Sequence, residues 1–119
     1  MDLDKALAAH ADWKVKLRVA LTEHQVLDAE RIASDCQCDL GRWLQHEGKA
    51  AHSMNPSFRE CVEAHTEFHR AAGAVARLIN RKDFAGAERQ LDVGSDFSGA
   101  STRVAVAVRR LKREAEAAA

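Results

Sequence analysis

Pro56-Ser57-Phe58-Arg59-Glu60-Cys61-Val62-Glu63-Ala64-His65-Thr66-Glu67-Phe68-His69-Arg70-Ala71-Ala72-Gly73-Ala74-Val75-Ala76-Arg77-Leu78-Ile79-Asn80 decides the fold. Phe58, Val62, His65, Phe68, His69, Ala72, Val75, Ala76 and Ile79 recur every three to four residues, the period of one helix face. Asn55 can cap this helix, and Pro56 suits its first position, where a missing N–H costs nothing. Arg81 and Lys82 follow at the last turn, where positive charge suits the helix dipole. The spacing therefore predicts one long amphipathic helix to about residue 80.

Outward from it, the same period recurs on both sides. Leu3, Leu7, His10, Leu17, Leu21 and His24 share one face, with Trp13 flanking it, predicting a helix over about residues 3–25. Val26, Leu27 and Ile32 mark a helical stretch over about 27–35. Cys38-Asp39-Leu40-Gly41-Arg42-Trp43-Leu44 reads as a turn into a short helix that stops near Gly48. Asp83 can cap a final helix carrying Phe84, Leu91, Val104, Val108 and Leu111, bent at Gly94 and Gly99. No strand alternation and no internal repeat interrupts the pattern, and only the Ala115–Ala119 end is low in complexity. The expectation is one all-α domain over residues 1–119: an antiparallel four-helix bundle with an additional short helix carrying the cysteine motif.

Composition bounds the function. An apolar fraction of 46% and a charged fraction of 30% are those of an ordinary globular domain, and 119 residues suffice for one core. Eighteen basic and eighteen acidic residues cancel, so no net field draws the molecule to nucleic acid or a membrane surface. The run Arg109, Arg110, Lys112, Arg113 precedes Glu114 and Glu116 and reads as a solvated helix end. No apolar run approaches a membrane span, and Met1-Asp2-Leu3-Asp4 has no signal-peptide pattern, which predicts the cytoplasm. Three cysteines in a reducing compartment point to buried thiols, reactive thiols or metal ligands rather than disulfides.

His65 and His69, at i and i+4, lie on one helical face about 6 Å apart along the axis, so both imidazoles can converge on one ion. By itself the pair reads more simply as two histidines in a polar layer of the bundle. Three rival metal chemistries fail on spacing. A zincin protease needs Glu directly after the first His, where Thr66 stands. A di-iron bundle needs Glu three residues before each His, where Val62 and Thr66 stand. Cys36 and Cys38 are too close for a zinc finger. His10 lies among leucines on the core stripe of the first helix. A neutral imidazole there needs a partner, and packing against the His65/His69 helix would supply a shared cation.

His10-Ala11-Asp12-Trp13, Cys38-Asp39-Leu40-Gly41-Arg42-Trp43 and His65-Thr66-Glu67-Phe68-His69, in that order, resemble the bacterial chemoreceptor zinc-binding (CZB) domain family over nearly the whole chain. The resemblance implies that His10, Cys38, His65 and His69 are zinc ligands in a closed site, which disfavours catalysis. It also implies a homodimer attached to a chemoreceptor or diguanylate cyclase output domain, sensing zinc or oxidants such as hypochlorous acid at the zinc-bound cysteine. The alternatives are a structural zinc-stapled dimerisation module, or a hydrolase using the three histidines without Cys38. Cys61 reads as a small buried residue, and His24, His46 and His52 as surface residues. Trp13 and Trp43 read as core, Gly41 as serving the turn that aims Cys38, and Asp35 as a hydrogen-bond partner of a ligand histidine. Val15, Val19 and Val106 lie off the core stripes and mark the first and last long helices as the dimer interface.

Overall fold

The structure is a computed structural model that describes residues 1–117; Ala118 and Ala119 of the low-complexity end lie outside it. Among the described residues eight helices follow one another: α1 (Leu3–Ala11), α2 (Trp13–Glu23), α3 (Ala29–Ala33), α4 (Asp39–Gln45), α5 (Glu47–His52), α6 (Pro56–Asn80), α7 (Phe84–Leu91) and α8 (Asp96–Ala117). There is no strand among the described residues. Among the described residues, no helix is long and apolar enough to cross a membrane.

α6 is the axis of the molecule. Pro56 occupies its first turn as the sequence implies, although Asn55 holds the N-cap position without a side-chain cap bond. Its buried stripe runs from Phe58 through Cys61, His65, Phe68, Ala72 and Val75 to Ile79. Helices α2, α3, α7 and α8 pack around it. Phe68, fully buried, meets Phe97 of α8 with ring centroids 5.7 Å apart. Truncating such a ring to Ala typically costs about 3–5 kcal/mol, because the surroundings close the cavity only in part.

Contacts between chain ends fix the directions. Lys112 pairs with Asp4 at 2.9 Å and Arg110 with Glu60 at 3.0 Å, so α8 runs antiparallel to both α1 and α6. The Asn80 amide donates to Leu27 O and accepts from Leu27 N–H, each at 2.8 Å. The chain then returns along α6, Ala33 lying against Gly73. A Cβ on Gly73 would sit 2.5 Å from Ala33 Cβ, so only glycine lets α3 come this close.

Four element boundaries differ from the sequence expectation. The first helix is interrupted at Asp12, but Asp12 N–H donates to Ala8 O (3.0 Å) and Asp12 O accepts from Lys16 N–H (3.1 Å), so the ladder passes through one irregular turn. α3 is shorter than 27–35: Asp28 caps it through Arg31 N–H, and Ser34 turns extended. The short helix does not stop near Gly48; it breaks at His46, and α5 contains Gly48, tucked under the Trp43 ring. The final helix is two helices, parted at 92–95 where Gly94 takes a positive φ of 87° that L side chains disfavour. Gly99 does not bend α8. Val104 and Val108 are buried while Val106, on the other side of α8, is 43% exposed. Val15 and Val19 of α2 are also exposed.

Candidate metal centre

His10 arrives from α1, Cys38 from the N-cap position of α4, and His65 and His69 from adjacent turns of α6. One donor atom from each lies within 4.8 Å of all the others. The Nε2 atoms of His10 and His69 each stand 3.1 Å from His65 Nε2. Cys38 Sγ is 3.2 Å from His65 Nε2, 3.6 Å from His69 Nε2 and 3.8 Å from His10 Nε2. A tetrahedral ion with the usual zinc bond lengths separates two nitrogens by about 3.3 Å and a nitrogen from a sulfur by about 3.6 Å. These five distances lie within a few tenths of an ångström of such edges, and the sixth, between His10 and His69, is within 4.8 Å.

The proton positions point the same way. His10 Nδ1 lies 2.7 Å from Ala6 O and His69 Nδ1 lies 2.8 Å from Ile32 O. A carbonyl only accepts, so in both rings the proton is on Nδ1 and Nε2 presents a lone pair. Two such lone pairs face His65 Nε2, which has at most one proton to offer. The three rings are almost fully buried, so no bulk water relieves the clash. A cation does, and the donor set of three imidazoles and one thiol suits zinc. Burial also holds all three histidines neutral, the form that ligates. Desolvation lowers His10, and His69 lowers it further, against the bond to Ala6. His65 is pushed down to about 3, first by burial and then by His69 and His10. Burial likewise lowers His69, opposed by Ile32 O and the Asp35 carboxylate.

The profile of the chemoreceptor zinc-binding domain family matches residues 10–76. The chain belongs to this family. The match holds all four donor residues but stops within α6, short of the nearly full-length resemblance expected from the motifs. No curated protein and no solved structure matches the chain. This is a zinc-binding domain with the cluster His10, Cys38, His65 and His69.

How the CZB domain aims Cys38 depends on residues whose role the sequence only half reveals. Cys38 Sγ accepts the Gly41 N–H at 3.4 Å, capping α4. Burial pushes the thiol up, while the Gly41 and Leu40 amides and Arg42 pull it back. Contrary to the expectation that it serves a turn, Gly41 is a helical residue, placed where the 35–36 backbone passes. A Cβ there would fall 1.7 Å from Asp35 O. Asp35 does not hold a ligand histidine. It accepts from Thr66 Oγ1, because the Ile32 carbonyl, freed at the end of the short α3, already takes His69 Nδ1. Thr66 thus ties the cysteine loop to α6. The Ala6 and Ile32 carbonyls went unrecognised in the sequence. Ala6 could have been found at i−4 from His10, whereas nothing local signals Ile32.

The remaining candidates fall away from the cluster. Cys61 is fully buried and pushed up to about 12 by desolvation and then Glu60. Cys36 is exposed, with Sγ 3.4 Å from Ser34 Oγ. His24 stacks on Phe84, His46 is exposed, and His52 is half-buried near Trp43. Trp13 and Trp43 are half-buried and pack against the core rather than within it.

Proposed function

We propose that His10, Cys38, His65 and His69 hold one zinc ion in a closed tetrahedron, and that the domain is a sensory input rather than an enzyme. The mutual spacing of the four donor atoms carries this reading, because it matches a tetrahedral ion with no position left for substrate. The chain is read as one cytoplasmic domain over residues 1–119. The α1–α2 pair, α6 and α8, with the broken α3–α5 stretch as the fourth member, form an antiparallel four-helix bundle. Held against a zinc ion, Cys38 would be a thiolate, the form that oxidants attack. Hypochlorous acid gives its oxygen to the Cys38 sulfur, an S–O bond replacing O–Cl as chloride leaves, and the resulting sulfenic acid is a weaker ligand. Released from the cluster, Cys38 frees the 34–38 segment to repack, and a two-fold dimer through Val15, Val19 and Val106 passes the change to a chemoreceptor or diguanylate cyclase output.

The same spacing favours a second reading, a structural staple. The donors come from α1, α4 and α6, so one ion would tie three elements together whatever happens at the cysteine. Elemental analysis and chelator or oxidant challenge separate the readings. One zinc per chain is expected, lost from His10→Ala, His65→Ala and His69→Ala and kept in Cys61→Ser. Full zinc in the histidine variants refutes the ligand set. A partner output unmoved by zinc chelator and by hypochlorous acid leaves the staple alone standing.

A further inference from the structure

A second feature lies on the face of the molecule where α6 and α8 run side by side. A groove of about 700 Å³ opens between them, within the range of small-molecule sites. Arg70, Arg77 and Arg81 of the α6 strip line one wall and Arg103 of α8 the other. Arg70, Arg77 and Arg81 are spaced at i, i+7 and i+11, which places them along one face. The floor is Ala71, Ala74, Leu78, Gly99 and Ala100. Four guanidiniums face two lining carboxylates, Glu67 and Asp96, in a chain whose formal net charge is zero. That is a local positive field the composition conceals.

The two ends of the groove differ. Arg70 is engaged by Glu67 at 2.9 Å, and Arg103 reaches Glu63 at 3.7 Å. Arg77 and Arg81 have no ion pair or side-chain hydrogen bond among the described residues. They stand at the end of α6, where a cation would normally serve the last carbonyls, but the backbone already does so. Arg77 O accepts from Arg81 N–H, Leu78 O from Asp83 N–H and Ile79 O from Lys82 N–H. The guanidiniums are therefore free to serve a ligand. The first turn of α8, with Asp96 in it, also lines the groove, and Ser95 Oγ caps its Ser98 N–H. Two guanidiniums without carboxylate partners, in a groove that a helix start also lines, suit a phosphate oxyanion.

We infer that this groove binds a small organic phosphate, its phosphates held by Arg77, Arg81 and the start of α8 and its organic part lying on the Ala71–Leu78 floor. The site is about the groove alone and does not depend on zinc or on Cys38. It gives the domain a second input on the helix that carries His65 and His69.

The test is a titration of the zinc-loaded domain with pyrophosphate and with ADP at constant ionic strength, followed by amide NMR. Both should saturate, with shifts concentrated at 77–81 and 95–99, and ADP should bind more tightly than pyrophosphate. Arg77→Gln/Arg81→Gln should lose about tenfold or more in affinity, the scale of one or two charge-assisted hydrogen bonds. Arg109→Gln, an exposed arginine outside the groove, should change nothing. Non-saturating shifts spread over all arginines, or equal affinity in the double variant, overturn the site. ADP no tighter than pyrophosphate overturns the organic ligand. A glutamate-rich helical peptide that displaces ADP and binds more tightly would make the groove a docking surface for a protein instead.

Discussion

Gly41→Ala sets helix propensity against tertiary packing. Gly41 lies inside α4, and in an open helix the substitution stabilises by about 1 kcal/mol. Here the new Cβ would stand 1.7 Å from Asp35 O and 2.8 Å from Asp35 C, against an ordinary contact of 3.4 Å or more. Backbone, not a flexible tip, must give way. Overpacking of this kind costs about 1–3 kcal/mol, so a net loss is expected even without metal. The larger effect falls on zinc. Cys38 caps the same helix, and donor distances tolerate only about 0.2 Å of displacement. Parting α4 from the 35–36 backbone moves Sγ well beyond that, so affinity should fall at least 10–100-fold, as it does when supporting partners of ligands are lost. At a zinc concentration 100 times the original Kd, about 1.3 to 2.3 of the roughly 2.7 kcal/mol of metal-linked stability would go with it. Urea unfolding with and without chelator, and a zinc competition titration, measure the two parts. Gly99→Ala is the control: a Cβ there meets nothing within 4 Å, so it should gain about 0.5–1 kcal/mol. A Gly41→Ala protein with unchanged zinc affinity and the same gain would refute the packing argument.

Acid should unfold the metal-free domain. The three histidines have folded-state values below their unfolded one, so the unfolded chain binds protons first and stability, full above about pH 6.5, drains as pH falls. For His65 the loss runs from 6.5 toward about 3, at up to about 1.4 kcal/mol per pH unit, and a flat denaturation midpoint across that window contradicts the neutral cluster. Light hypochlorous acid treatment should modify Cys38 with release of zinc while Cys61, buried and pushed up to about 12, stays reduced; peptide mass spectrometry finding all three cysteines equally oxidised would remove Cys38 as the sensor. Light scattering should report a dimer at micromolar concentration that Val15→Glu or Val106→Glu dissociates, and a monomer in the unsubstituted chain would leave the signalling model without its transmitting interface.

The sequence by itself determined the helices and half of the centre. Periodicity and capping are local, so α6 could be bounded at Pro56 and near residue 80, and the His65/His69 pair placed on one face, without knowing what lay opposite. His10 and Cys38 stand 55 and 27 residues from His65; a family pattern named them, but no local rule brings them there. Only the tertiary structure did that. Gly73 lets α3 close on α6, which delivers the Ile32 carbonyl to His69; Gly41 admits the Asp35 backbone, which sets Cys38 at the start of α4. The breaks at Asp12 and His46 and the gathering of arginines between α6 and α8 were equally invisible, each being decided by which surfaces meet, whereas Gly94 was legible as a bend and only the structure opened it into a turn between two helices. Helical hydrogen bonds close over four residues, whereas a metal tetrahedron closes over a whole chain, and that difference in range separates what could be read from what had to be folded.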